Sequence, residues 1–120
     1  MKILLVEDNE MNRDMLVRRL SNAGYIVESA TNGKAALQQM ALNRPDVVLM
    51  DMNLPIMDGW TACKEAKKSS RLRDIPIVAL TAHAMEIDRQ VALDSGCVDY
   101  ATKPIDFPGL LNKIQKASEE

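Results

Sequence analysis

Two stretches, Val47-Val48-Leu49-Met50 and Ile77-Val78-Ala79-Leu80, are unbroken apolar runs, and they restrict the folds open to this chain more than any other feature. A strand with one wet face alternates apolar and polar residues, so a short continuous run marks a strand covered on both faces. Around them, short apolar segments alternate with longer patterns of helical period. KILLVE (2–7) reads as a first strand, followed by a helix from about Glu10 to Ala23 with Leu16, Leu20 and Ala23 on one face and Gly24 ending it. YIVESA (25–30) alternates more and reads as a strand nearer an edge. Ala35 to Ala41 give a second helix closed by Asn43-Arg44-Pro45, VVLMD (47–51) a third strand, and Gly59 to Lys68 a third helix. IPIVALTA (75–82), a helix from Ala84 to Ser95 terminated by Gly96, and VDYATK (98–103) follow. Phe107, Leu110, Leu111 and Ile114 then recur at three- and four-residue steps on one face of a last helix. Five strand-then-helix repeats with short links predict an α/β fold, a doubly wound five-stranded parallel sheet with helices on both faces.

At 120 residues the chain fits one domain, read as spanning 1–120. A net charge of −2 argues against a nucleic-acid footprint, and Lys64, Lys67, Lys68, Arg71 and Arg73 read as a solvated helix end and loop. No apolar run approaches the roughly 20 residues of a membrane helix, and MKILLVEDNE makes a poor secretion signal. The expected location is cytoplasmic. Cys63 and Cys97 lie far apart in sequence, outside metal-binding spacings, and read as two reduced thiols.

The polar residues gather at the carboxyl ends of the strands. The first ends in Glu7-Asp8, the third in Asp51, the fourth in Thr81 and the fifth in Lys103. Ligands of open parallel sheets sit outside those ends, where strand order reverses. Three carboxylates brought together repel unless a cation lies among them, and hard oxygen ligands suit magnesium. Lys103 supplies a compact ammonium, and Thr81 a hydroxyl donor for an incoming oxyanion. A carboxylate, a magnesium site, a Lys and a Thr form a place for phosphoryl transfer to an aspartate. The apolar run that stops at Asp51 then has a reason: Asp51 is the candidate nucleophile.

Taken together, LLVEDN (4–9), LMDMNLPIMDG (49–59), VALTAHA (78–84) and YATKP (100–104) resemble the receiver domains of two-component response regulators, the CheY-like family, over the whole chain. The resemblance implies a flavodoxin-like sheet of order 2-1-3-4-5. It implies that Asp51 accepts a phosphoryl group from a histidine kinase or histidine phosphotransfer protein, with Mg2+ held by Asp8, Asp51 and the backbone carbonyl of Asn53, and by Glu7 through water. Thr81 and the Ala82 backbone N–H would bind the phosphoryl oxygens, Lys103 would contact them, and the Lys103-Pro104 peptide would be cis. Thr81 and Tyr100 would form the switch, remodelling a face made by the fourth predicted helix, the fifth strand and the last helix, where a downstream protein binds. Asn53 and His83 would tune dephosphorylation, and Arg13, Asp14 and Val17 would contribute to kinase specificity. Catalysis would be confined to the protein's own phosphotransfer and autodephosphorylation.

Asp58 reads as a helix N-cap and Trp60 as packing or partly exposed. The methionines read as core filler, with Met57 and Met85 near the rim or switch face. Met1 directly before the first strand argues against a preceding domain, and Glu119-Glu120 stand where a linker to an output domain could begin. As a free-standing receiver the chain would act through a change in partner affinity; a dimer formed on phosphorylation is left open. Two other classes compete: a phosphorylation-independent pseudo-receiver, and a haloacid-dehalogenase-like phosphohydrolase, whose DxD motif follows the first strand rather than the third.

Overall fold

The computed structural model describes residues 1–82, 90, 91 and 93–119. Its elements run β1 (Lys2–Val6), α1 (Glu10–Asn22), β2 (Ile26–Ala30), α2 (Gly33–Leu42), β3 (Val47–Asp51), α3 (Gly59–Lys68), β4 (Ile77–Thr81), β5 (Asp99–Thr102) and α4 (Phe107–Ser118). All strand pairs are parallel, in the order β2-β1-β3-β4-β5. Every residue of β3 and β4 is buried, as the unbroken runs require, whereas the more alternating β2 lies at one edge with Ile26 exposed. The predicted helix from Ala84 to Ser95 lies largely outside the described residues, as do His83 and Met85. Its end is visible in the Gly96 N–H donating to the Leu93 carbonyl at 3.0 Å, with Gly96 at φ 102°.

Because side chains alternate across a strand, each central strand feeds two cores. Ile3, Leu5, Val47, Leu49, Val78 and Leu80 face one way and pack with Leu16 and Leu20 of α1 and Leu110, Ile114 and Ala117 of α4. Leu4, Val6, Val48, Met50, Ile77 and Ala79 face the other way and pack with Ala36 and Met40 of α2 and Ala62, Cys63 and Ala66 of α3. Ala23, expected on the buried face of the first helix, is exposed. The helix ends at Asn22, so Ala23 is its cap and no longer follows the helical stripe. Gly24 follows with φ 100°, the left-handed conformation that lets the chain turn into β2.

The helix starts fix where the strand-end loops go. The side-chain oxygens of Asn9, Asn32 and Asp58 accept from the backbone N–H groups of Asn12, Ala35 and Thr61, so all three helices begin just past the sheet rim. Gly59, the first residue of α3, is wedged against β3: a Cβ there would lie 2.4 Å from the Asp51 carbonyl oxygen and 2.8 Å from the Met52 Cα. Both are main-chain atoms that cannot swing aside. Gly59→Ala should therefore cost about 3 kcal/mol of stability through overpacking, readable as a lower urea midpoint, and should shift the Asp51 backbone with it.

Candidate functional site

The parallel topology delivers Glu7, Asp8, Asp51, Thr81 and Lys103 to one rim. Glu7 and Asp51 are almost wholly buried, Thr81 is buried, Asp8 is exposed and Lys103 is half-buried. Lys103 Nζ donates to Asp51 Oδ2 at 2.8 Å and reaches Glu7 Oε1 at 3.5 Å, so one ammonium bridges both acids. The other Asp51 oxygen, Oδ1, accepts from the Asn53 N–H at 3.0 Å. The Lys103 N–H donates to the Thr81 carbonyl at 2.8 Å, locking the end of β5 to β4, and the Lys103-Pro104 peptide is cis.

The electrostatics follow from this crowding. Burial first, then the neighbouring Asp51, lifts Glu7 from 4.5 to about 7. Burial also works against ionised Asp51, but hydrogen bonds from Glu7 and Lys103 outweigh it and hold Asp51 below the ordinary carboxylate range. Burial likewise opposes the Lys103 charge, and the Asp51 partnership overcomes it and raises the ammonium's pKa. Without a metal, then, Glu7 carries a proton toward neutral pH while Asp51 stays ionised against Lys103.

Oxygens of Glu7, Asp8 and Asp51 lie within 4.8 Å of one another. The buried Glu7 Oε2 has no hydrogen-bond partner among the described residues, which is costly unless something else satisfies it. Three hard carboxylate donors around an orphaned oxygen fit a small divalent cation such as Mg2+.

Around this centre the structure adds contacts that the sequence did not disclose. Arg13 Nη1 donates to the Glu7 carbonyl at 3.1 Å and lies 3.4 Å from that of Asp8, bracing the acidic loop from α1, and the Asn12 side chain beside Glu7 favours its charged form. No local pattern marks either: only the return of α1 across the loop brings them back. Ile56, 81% exposed, holds a positive φ of 66°, with the Met57 N–H donating to the Pro55 carbonyl at 2.6 Å. A β-branched residue there is strained, and the tight turn carries the chain from Asn53 back toward α3. Tyr100 is half-buried against the α2–α3 side of the core, with Lys113 Nζ 5.5 Å from its ring centroid. Asn53 and Ala82 are exposed at the rim, and Trp60 is half-buried.

A proton held by Glu7 links stability to pH. Its folded pKa exceeds the unfolded one, so the stabilisation is complete below about 4.5 and is lost as pH rises through about 7, amounting to about 3 kcal/mol. The lowered Asp51 works oppositely, and its contribution is lost only as pH falls below that window. Metal-free protein should show a lower urea midpoint at pH 8 than at pH 5, and Glu7→Gln should flatten the difference.

Comparison with known proteins places the chain in a family. The response regulator receiver domain model matches residues 3–115, and the chain belongs to that family. Response regulator PleD of Caulobacter vibrioides is 41% identical over 114 residues, 95% of this chain but only 25% of PleD; the chain thus spans a quarter of that relative's length. The receiver domain of the sensor histidine kinase PA1611 from Pseudomonas aeruginosa, a crystal structure with a magnesium ion coordinated in the active site cleft, superposes with a TM-score of 0.91 at 36% identity, over 99% of this chain and 98% of that one. The receiver domain of Ssk1 from Saccharomyces cerevisiae, crystallised with the histidine phosphotransfer protein Ypd1, gives 0.91 at 30% identity, over 98% and 88%. The chain is a receiver domain of two-component signalling, built on the CheY-type flavodoxin-like sheet.

Proposed function

We propose that this receiver accepts a phosphoryl group on Asp51 from a phosphohistidine donor, with Mg2+ as cofactor, and signals through a changed partner-binding face. The observation that carries the proposal is the pairing at Asp51: an almost wholly buried carboxylate, ionised against Lys103 at 2.8 Å, beside two further acids whose oxygens lie within 4.8 Å. Asp8, Asp51 and the Asn53 carbonyl would hold the cation directly and Glu7 through water. When bound, the cation supplies charge neutralisation between the acids and the incoming phosphoryl oxygens.

The chain's own groups do the rest. Asp51 Oδ2 attacks phosphorus in line while the donor imidazole leaves. Lys103, already held at that oxygen, then transfers its hydrogen bonds to the phosphoryl oxygens, and Thr81 with the Ala82 N–H caps another. Drawing Thr81 toward the new dianion biases Tyr100, on the adjacent strand, between two packings and remodels the face formed by β5 and α4 with the residues before β5. Asn53 and His83 would shape access of the hydrolytic water. The donor would be a histidine kinase or phosphotransfer protein, as support from the Ypd1–Ssk1 complex suggests, and α1, including Arg13, Asp14 and Val17, would contact it. The cytoplasm is the compartment where such donors act.

Incubation with acetyl phosphate tests the proposal. One phosphoryl group should add to the intact mass in the presence of magnesium and none in the presence of excess chelator. No gain in either condition, from folded protein, would favour a phosphorylation-independent interaction module.

A further inference from the structure

Cys63 and Cys97 are separated by 34 positions, yet the fold sets their sulfurs 2.9 Å apart inside the core between α3 and the turn that enters β5. Both are free thiols; Cys63 is wholly buried and Cys97 is 5% exposed. We propose that they form an oxidisable dithiol that closes to an intrachain disulfide when the folded protein meets hydrogen peroxide.

The geometry meets the first requirement of such a pair. The sulfurs need approach by less than about 1 Å to reach covalent distance, and they come from two neighbouring elements rather than from a single loop. Their surroundings assign the roles. The two sulfurs share a hydrogen bond in which either can be the donor; with Cys97 donating, this bond first and the nearby Lys67 ammonium after it favour the Cys63 thiolate against the cost of burial. The same bond, then burial, holds the Cys97 proton in place. Cys63 is therefore the nucleophile and Cys97 the resolving thiol. Lys67 also lies against the turn that holds Cys97: its stem packs on Gly96, where a Cβ would meet Lys67 Cγ at 2.5 Å, and its ammonium donates to the Arg73 carbonyl at 2.9 Å. A flexible side chain rather than backbone packs beside Cys97, the less deeply buried member of the pair, and hydrogen peroxide is small enough to serve as the oxidant there.

The chemistry balances without a further reactant. The Cys63 thiolate attacks one peroxide oxygen, the O–O bond breaks, and the departing hydroxide takes up a proton as water, leaving a sulfenic acid on Cys63. The Cys97 sulfur then attacks the Cys63 sulfur, the S–O bond breaks, and the hydroxyl leaves with the Cys97 proton as a second water. Two thiols are oxidised and one peroxide is reduced to two waters. The bond would tie α3 to Cys97, two residues before the strand that carries Tyr100 to the rim.

The test treats the folded wild-type chain with hydrogen peroxide, removes it, denatures the protein and counts thiols by iodoacetamide alkylation and peptide mapping. The expected result is a fall from two alkylatable thiols per chain to none, with the peptides bearing Cys63 and Cys97 joined and both thiols restored by dithiothreitol. Two thiols still alkylated would overturn the proposal. So would oxygen retained on either cysteine, or a disulfide joining separate chains.

Discussion

Asp51→Asn should reduce phosphoryl incorporation from one group per chain to none, whether the donor is acetyl phosphate or a phosphohistidine. The substitution keeps the volume of the side chain, and an amide oxygen can still accept the Asn53 N–H that now bonds Oδ1. The β3 strand that carries it is buried throughout and paired on both sides, by β1 and β4, so the fold has no reason to change. What disappears is the anionic nucleophile and one of three carboxylates in the cluster. Magnesium should accordingly raise the melting temperature of the variant less than that of the wild type. Retained stoichiometric incorporation would place the acceptor elsewhere.

Lys103→Met has the second large effect, and it acts on stability as well as chemistry. Lys103 is the cation that bridges Asp51 and Glu7, and their side chains are only 6% and 2% exposed. Removing one partner of a buried pair leaves the other charge uncompensated, a cost of several kcal/mol when burial is complete. The Lys103 side chain is itself 28% exposed, so solvent relieves part of this and about 2 kcal/mol is expected for metal-free protein. The loss should shrink in magnesium, since a cation among the acids replaces some of the missing charge. Phosphoryl transfer should be slowed even in saturating magnesium, because the ammonium no longer meets the incoming oxygens. Urea unfolding with and without magnesium, beside the rate of mass gain, separates the two effects. Equal destabilisation in both conditions would mean that Lys103 does not share its task with a metal.

The rim was legible in the sequence because parallel topology makes strand ends meaningful. Once VVLM and IVAL are read as strands covered on both faces, and VDYATK as a further parallel strand, the residues that end them are forced to one edge of the sheet, and Asp51, Thr81 and Lys103 come together. The edge position of β2 was legible for the same reason, through its alternation. Bracing groups were not. Arg13 and Asn12 turn back onto the Glu7–Asp8 loop from α1, a contact fixed by the path of the chain rather than by a motif. The positive φ of Ile56 was hidden because a β-branched residue signals extended backbone, and here the surrounding turn overrides that preference. The meeting of Cys63 and Cys97 joins residues 34 positions apart, which no spacing rule reports. Ala23 failed for a local reason: one residue past the helix end, the 3.6-residue stripe no longer applies.

The most direct test of the account is to locate the phosphoryl group chemically. An aspartyl phosphate is an acyl phosphate, and borohydride reduces it to an alcohol, converting the acceptor aspartate to homoserine. After phosphorylation by acetyl phosphate with magnesium, peptide mass spectrometry should find homoserine at position 51 and unmodified carboxylates at Asp8 and Asp58. Homoserine at either of those positions, or none anywhere in a chain shown to carry phosphate, would contradict the assignment of Asp51 as the acceptor.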